Sequence, residues 1–363
     1  MEYSFEDVLT IRNGRNQKAV ENPNGKYPIY GSGGIMGYAD DFICSGDTVI
    51  IGRKGNINNP IYVSEPFWNV DTAFGLESKN DLLNPRYLYY FCKRFDFEKL
   101  NKTVTIPSLT KSDLLKIRLN VPELSIQEEI VSKLVKLEKI VQLRLNELQK
   151  LDELVKARFV EMFGSVEKKI PLSTLCDVSG GYSFKSGDIT SDGAVKILQI
   201  GNVYLDDISW ETTNYLPKGY DETYSRFLLN KGDIVVALTR PIIQSLGNVK
   251  ACIVRDLDLP CLLNQRVGRI VPRNNREVSN QFIYGCLMTC DFTRYVKSCC
   301  IGCSQPNISS NDIGNYMIPD VSFNEQMMFV NFKEQIDKSK VAIQKSLAET
   351  QLLFDKLMQD YFG

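Results

Sequence analysis

The chain of 363 residues contains no histidine and no apolar run long enough for a membrane span. Histidine is the commonest general base and the usual nitrogen ligand of metals, so its absence excludes a histidine-dependent hydrolytic triad. A spanning helix needs about 20 apolar residues, which no stretch supplies. The N-terminus has neither the basic nor the apolar region of a signal peptide. We therefore expect a cytoplasmic protein whose ten cysteines are reduced thiols.

The sequence also lacks an excess of either charge, since 43 basic residues face 44 acidic ones. The chain has no overall positive charge that would indicate a nucleic-acid partner. Any binding of nucleic acid would therefore depend on local basic patches. The phosphate-binding pattern Gly-x-x-x-x-Gly-Lys-Ser/Thr is absent as well. We therefore expect no ATP site in this chain.

An internal repeat is the most informative feature that is present. Phe163-Gly164 near the middle recurs as Phe362-Gly363 at the end, and at the same offset Pro107 pairs with Pro306 and Gln127 with Gln326. In both copies a mixed stretch leads into a helix of nearly forty residues. A duplicated module predicts two similar sites in a pseudo-symmetric molecule.

The two long helical segments carry apolar residues at seven-residue spacing. Leu134, Val141, Leu148 and Val155 form one such series, and Phe329, Ile336 and Ile343 begin the other. An exposed stripe of this kind favours antiparallel pairing of the two helices over separate packing on their own domains. The predicted helix–helix interface contains Leu134, Val141, Leu148, Val155, Ile336, Ile343, Leu347 and Phe354.

Short β-type runs broken by Gly, Asn and Pro precede each long helix. Residues 46–51 and 232–238 have the pattern of matching strands, with Gly46-Asp47 aligned to Gly232-Asp233. Residues 84–100 and 281–297 have the pattern of matching helices. The fold class is therefore α+β, with two pseudo-symmetric recognition domains separated by an antiparallel pair of long coiled-coil-like helices. The predicted limits are 1–122 and 165–320 for the domains, and 123–164 and 321–363 for the helices.

This organisation resembles the specificity subunit of type I restriction–modification systems, which alternates target-recognition domains with spacer helices. Local signatures support the resemblance over essentially the whole chain. They are Tyr30-Gly31-Ser32-Gly33-Gly34-Ile35, Asp71-Thr72-Ala73-Phe74, Ser183-Phe184-Lys185-Ser186, Gln199-Ile200-Gly201-Asn202, Gly232-Asp233-Ile234-Val235, Leu263-Asn264-Gln265-Arg266, Gln305-Pro306-Asn307-Ile308-Ser309 and Glu325-Gln326. The first copy has Ile126-Gln127 in place of Glu325-Gln326, which is a small departure.

The resemblance implies a non-catalytic subunit that binds a bipartite double-stranded DNA sequence, one half per domain. It also implies two modification subunits, which carry S-adenosylmethionine and methylate adenine, and restriction subunits that use ATP and Mg. No cofactor and no membrane partner is expected for this chain. The sequence agrees, because the Asn/Asp-Pro-Pro-aromatic turn of adenine methyltransferases is absent and Asn59-Pro60-Ile61 is the nearest match.

Candidate DNA-binding residues are those that offer paired donors and acceptors or free amides. In the first domain they lie in a Gly-rich turn, a basic turn and a polar loop: Gly31, Ser32, Gly33, Arg53, Lys54, Asn56, Lys102 and Thr103. In the second domain they lie in comparable loops: Lys185, Ser186, Thr239, Arg240, Gln244, Asn264, Gln265 and Arg266. Asn264 and Gln265 could instead satisfy buried backbone groups, and a Gly-rich turn is often only a turn.

Several features of the sequence have alternative interpretations. The Gly-Ser-Gly-Gly run lacks the strand–helix setting of a dinucleotide loop. Cys300-x-x-Cys303 has zinc-ligand spacing, but the repeat aligns Cys286 and Cys290 with Phe91 and Phe95, which favours core residues over a metal site. The alternatives to DNA recognition are a coiled-coil interaction scaffold with ligand-binding end domains, and an enzyme acting alone.

Overall fold

A computed structural model describes residues 1–79, 81–101, 106–243, 245, 247–273, 277–300 and 306–363. The chain folds into two compact units. The first contains Met1–Asn146 and Ile343–Gly363, and the second contains Glu147–Ala342. Each unit therefore combines one globular α+β domain with a part of each of two long helices.

The described elements of the first domain are short. Its strands are β1 (Glu2–Ser4), β2 (Leu9–Asn13), β3 (Tyr27–Gly31), β4 (Gly34–Ala39), β5 (Thr48–Gly52), β6 (Ile61–Val63), β7 (Trp68–Asn69), β8 (Ala73–Ser78) and β9 (Arg118–Asn120). Its helices are α1 (Phe5–Val8), α2 (Pro85–Arg94) and α3 (Lys111–Leu114), and the long α4 (Leu124–Phe163) follows.

Antiparallel pairing dominates the first domain. Strands β2, β8, β5 and β6 form one sheet in that order, and β4, β3 and β7 form another in which β3 and β7 are parallel. Strand β1 pairs with β9. Every residue of β5 is buried, which suits the β-branched run Thr48-Val49-Ile50-Ile51 in the middle of a covered sheet.

The second domain repeats these elements with additions. Its described strands are β10 (Lys169–Pro171), β11 (Cys176–Gly180), β12 (Val195–Leu198), β13 (Asn214–Leu216), β14 (Ile234–Ala237), β15 (Ile242–Ile243), β16 (Asn248–Val249), β17 (Ala251–Ile253), β18 (Cys261–Leu263), β19 (Val267–Pro272) and β20 (Met317–Pro319). Its helices are α5 (Tyr220–Thr223), α6 (Asn280–Leu287), α7 (Cys290–Cys299) and α8 (Ser310–Asn315), and the long α9 (Phe323–Phe362) follows.

The sheet order of the second domain matches that of the first. Strands β11, β19, β14 and β17 correspond to β2, β8, β5 and β6, while β13, β12 and β18 correspond to β4, β3 and β7. The parallel pair is also repeated, as β12 with β18, and β10 pairs with β20 as β1 does with β9. The duplication inferred from the sequence is therefore confirmed at the level of topology.

The long helices α4 and α9 each contain 40 residues and lie inside the predicted limits 123–164 and 321–363. In the second unit the rings of Phe159 and Phe329 have centroids 5.1 Å apart, and Asp152 forms an ion pair with Lys340. The contact made by the earlier residue of α4, Asp152, is with the later residue of α9, Lys340, so the two helices run antiparallel there. In the first unit Leu134 shares a core cluster with Phe354.

The predicted interface residues differ in burial. Leu134 is fully buried and Phe354 is 7% exposed, so both are core residues of the first unit. Val155 packs at the margin of the second unit's core. The others are half-buried: Val141, Leu148, Ile336, Ile343 and Leu347. Their role in helix–helix pairing stays a prediction.

Two expectations about shorter helices are wrong. The segment 84–100 is not one helix, because α2 ends at Arg94 and Phe95 is extended, with the Asp96 side chain capping a separate 3-10 turn. The segment 281–297 is also divided, because the Thr289 hydroxyl accepts the N–H of Phe292 and starts α7. Among the described residues no helix is long and apolar enough to cross a membrane.

Candidate nucleic-acid interface

Four backbone segments of the first domain meet just beyond the carboxyl end of β5. The Arg53 N–H donates to the Thr72 carbonyl at 2.7 Å, and the Arg53 carbonyl accepts from Leu109 at 2.9 Å. Gly55 donates its N–H to the Pro107 carbonyl at 3.0 Å. We call this arrangement the first loop edge, and it consists of residues 31–34, 53–56, 70–72 and 106–109.

Glycine at position 52 allows the segments of the first loop edge to approach. A Cβ on Gly52 would lie 2.0 Å from the Asn56 carbonyl oxygen and 3.0 Å from the Ser32 Cβ, so only a residue without a side chain fits there. The Val70 N–H donates to the Tyr30 carbonyl at 3.0 Å and holds the end of β3 beside the same edge. The Gly-rich turn and the basic turn predicted from the sequence are therefore neighbours.

The predicted DNA-binding residues of the first domain differ in exposure. Gly31 is buried and Ser32 is half-buried. Gly33 faces open space, with no atom within 4 Å of an added Cβ. The exposed members with side chains for base or phosphate contacts are Arg53, Lys54 and Asn56. The remaining two predicted residues, Lys102 and Thr103, lie outside the described residues.

The second domain repeats the arrangement with the same backbone bonds. The Leu238 N–H donates to the Arg266 carbonyl at 2.9 Å, and the Leu238 carbonyl accepts from Ile308 at 2.8 Å. Arg240 donates its N–H to the Pro306 carbonyl at 2.8 Å. We call this arrangement the second loop edge, and it consists of residues 181–186, 238–241, 263–266 and 306–308.

Tyr182 joins two parts of the second loop edge. Its N–H donates to the Leu263 carbonyl at 2.9 Å, and its carbonyl accepts from Gln265 at 3.0 Å. A Cβ on the preceding Gly181 would lie 2.4 Å from the carbonyl oxygens of Leu263 and Asn264. The absence of a side chain at Gly181 therefore lets the two strand ends touch.

An aromatic cluster of Tyr182, Tyr224 and Phe227 lies at the second loop edge, and it was not predicted from the sequence. The Tyr182 side chain is 38% exposed, and its ring centroid lies 4.7 Å from that of Tyr224 and 5.3 Å from that of Phe227. Burial is the largest cause that raises the pKa of Tyr224, so its hydroxyl stays protonated at neutral pH. Tyr182 is far from Tyr224 and Phe227 in sequence, so no local pattern indicates that their rings meet.

The predicted residues of the second domain are also mixed in exposure. Asn264 is 6% exposed, and its side-chain oxygen lies 3.5 Å from the Arg266 N–H, so it supports the turn rather than facing solvent. Thr239 is half-buried, and Gln244 lies outside the described residues. The exposed members are Lys185, Ser186, Arg240, Gln265 and Arg266. Their contact with DNA stays a prediction.

Charge is distributed unevenly in the second domain. Some arginines elsewhere in it are paired with carboxylates: Arg269 lies 2.7 Å from Asp233, and Arg273 lies 3.1 Å from Asp177. Within the described part of the chain, the cations of the two loop edges form no ion pair: Arg53, Lys54, Lys185, Arg240 and Arg266. A chain with a net charge of −1 therefore still presents local positive charge at both edges.

Cys44 and Cys176 are free, buried thiols. Burial raises the pKa of Cys44 and of Cys176 to about 12, which keeps them protonated. Cys286 is buried but Cys290 is exposed, so the expectation that both are core residues is wrong for Cys290. Among the described residues no three Cys, Asp or Glu side chains cluster as metal ligands, and Cys303 lies outside them.

Two copies of one α+β domain, each followed by a long helix and each presenting a loop edge, define a duplicated recognition protein. The family model described as type I restriction modification DNA specificity domain matches residues 1–155 and 167–351. The chain belongs to this family, and it is a type I specificity subunit with two target-recognition domains.

Known proteins agree with this assignment. The specificity subunit of the type I restriction enzyme MjaVIII from Methanocaldococcus jannaschii is 28% identical over 309 residues, which cover 80% of this chain and 69% of that protein. The type I S subunit from M. genitalium has a similar fold, with a TM-score of 0.61 and 18% identity over 100% of this chain and 96% of that one. A second similar structure comes from work on the complex assembly and conformational transition of a type I restriction–modification system. Its TM-score is 0.59 and its sequence identity is 14%, over 100% of this chain and 96% of that one.

Proposed function

We propose that the chain gives a type I restriction–modification complex its DNA sequence specificity, with each domain binding one half of a bipartite target. The observation that carries this proposal is the repetition of the loop edge. The bonds from Gly55 to Pro107 and from Arg240 to Pro306 hold equivalent loops in both domains. A recognition surface that is repeated in backbone but different in side chains suits two different half-sequences.

Each loop edge offers the chemistry that DNA recognition requires. The first presents Arg53, Lys54 and Asn56, and the second presents Arg240 and Gln265, all exposed. Arginine and lysine suit guanine, while asparagine and glutamine suit adenine. Unpaired cations and backbone amides suit phosphate oxygens.

The long helices are proposed to dock the modification and restriction subunits. Both helices leave large apolar side chains in solvent, including Leu143 at 51%, Val341 at 64% and Leu352 at 72% exposure. Apolar side chains on otherwise charged helices favour association with another protein. In this proposal S-adenosylmethionine, ATP and Mg belong to the partner subunits, and the complex acts in the cytoplasm.

A selection experiment tests the proposed function. The chain is combined with a modification subunit and incubated with random duplex DNA, and the bound fraction is sequenced at several salt concentrations. Two short enriched sequences with an unread gap are expected, and binding should weaken steeply with salt. Bound DNA without any enriched sequence would contradict the proposal and favour the interaction scaffold.

A further inference from the structure

The backbone of Arg240 has a conformation that arginine rarely adopts. Its φ of 47° lies in the left-handed region, where the Cβ of an L-residue is crowded and glycine is preferred. The first domain has glycine at the equivalent position, since Gly55 has a φ of 79° and makes the matching bond to Pro107. The fold therefore requires a left-handed residue here, and arginine is not the residue that stability alone would select.

The surrounding loop holds Arg240 in this conformation. Its N–H donates to the Pro306 carbonyl at 2.8 Å, and the carbonyl of the next residue, Pro241, accepts from Lys250 at 2.7 Å. Two residues earlier, Leu238 is bonded to Arg266 and to Ile308. Backbone strain of this kind persists where neighbouring structure enforces it, and it is concentrated at functional sites.

The side chain of Arg240 has no interaction partner among the described residues. It is exposed, and within the described residues it has no carboxylate, carbonyl or aromatic partner. As far as the described residues are concerned, all five guanidinium donors are therefore available to a ligand. The bond between Leu238 and Arg266 places Arg240 beside the turn that carries the exposed Gln265. A free, planar cation thus projects from a fixed backbone at the second loop edge.

We propose that Arg240 is a specificity-determining residue that reads one guanine in the half-site bound by the second domain. Guanine presents two acceptors in the major groove, which match the fork of an arginine guanidinium. Fixing the backbone in the left-handed region reduces the cost of ordering the side chain for this contact. The inference rests on the proposed function, and it distinguishes the two domains because Gly55 cannot make an equivalent contact.

Substitution by glycine and by lysine tests the proposal. Arg240→Gly removes the guanidinium and relieves the backbone, so the variant should melt at the wild-type temperature or higher. In complex with the modification subunit, it should lose about 5- to 150-fold discrimination at a single base pair of one half-site. Arg240→Lys should keep at most part of it, because lysine can donate to guanine but lacks the planar fork of arginine. Asp206→Gly, another left-handed position in the same unit (φ 62°), is the control and should keep wild-type specificity.

Binding is measured against duplexes in which each base pair of both half-sites is varied in turn. Uniform weakening across all sequences, restored by Arg240→Lys, would overturn the proposal and make Arg240 a phosphate contact. Unchanged discrimination in Arg240→Gly would overturn it as well. A wild-type complex without sequence preference would refute the proposed function itself, and this inference with it.

Discussion

Gln326 accepts the backbone N–H of Ser279 at 2.9 Å, and its amide nitrogen donates to the carbonyl of Val321. Gln127 makes the matching bond to the N–H of Asn84 at 2.8 Å. Both glutamine side chains belong to fully or almost fully buried residues. In each unit one side chain therefore ties the start of a long helix to the start of a helix in the adjoining domain.

Gln326→Ala is expected to destabilise the second unit. The Ser279 N–H would lose its partner in a buried place, at a cost of about 1–3 kcal/mol. Gln127→Ala should have a similar effect on the first unit. Urea unfolding provides the measurement, with Gln149→Ala on the exposed surface of α4 as the control. Equal midpoints for Gln326→Ala and Gln149→Ala would show that the buried bond contributes nothing.

Glu325 should make stability depend on pH. Its carboxylate accepts the hydroxyl of Ser322 at 2.7 Å and the Ser322 N–H at 2.9 Å, and these bonds hold the pKa of Glu325 below its usual value. Because the folded-state pKa is lowered, the contribution is fully present above the unfolded carboxyl pKa of about 4.3. It is lost as pH falls through the lower folded value.

Glu325→Gln removes this titration. Thermal melting from pH 7 to pH 3 should show a shallower acid-side loss of stability in the variant than in the wild type, with the difference confined to the region below about pH 5. Ile126 occupies the equivalent position in α4 and offers no such group. Parallel pH curves for variant and wild type would show that the carboxylate is not linked to folding.

Phe354→Ala should be among the costliest substitutions in α9. The ring is 7% exposed and belongs to the core of the first unit, so its loss should cost about 3–5 kcal/mol. Leu353→Ala, at 47% exposure, is the neighbouring control and should stay within about 1 kcal/mol. Half-buried Leu148 should lie between the two. Calorimetric melting of the three variants ranks their losses of stability. A Phe354→Ala protein with the melting temperature of the Leu353→Ala control would show that the end of α9 is not part of the core.

The sequence predicted the duplication because the two copies keep equal lengths from Pro107 and Pro306 onward. It also aligned Gly46-Asp47 with Gly232-Asp233, whereas the backbone bonds of Gly55 and Arg240 shift this correspondence by one residue. The left-handed Asp47 therefore matches Gly232. Residue identity favoured the alignment of Gly46 with Gly232, but the strand register determines which residues are structurally equivalent.

The remaining differences come from contacts that are distant in sequence. Tyr182 meets Tyr224 and Phe227 only after the sheet brings them together, so periodicity gave no sign of the aromatic cluster. Asn264 was predicted as a DNA-binding residue, but the fold buries it. The conformation of Arg240 was equally hidden, because arginine carries no sequence signal for a positive φ.

Exchange of one recognition domain tests whether each domain reads its half of the target independently. Residues 165–320 are replaced by those of a specificity subunit with a different known target, and residues 1–122 are replaced in a reciprocal chimaera. The methylated sites of each complex are then mapped by sequencing. Each exchange is expected to change one half-sequence and to leave the other intact. A change in both half-sequences after a single exchange would contradict independent reading by the two domains.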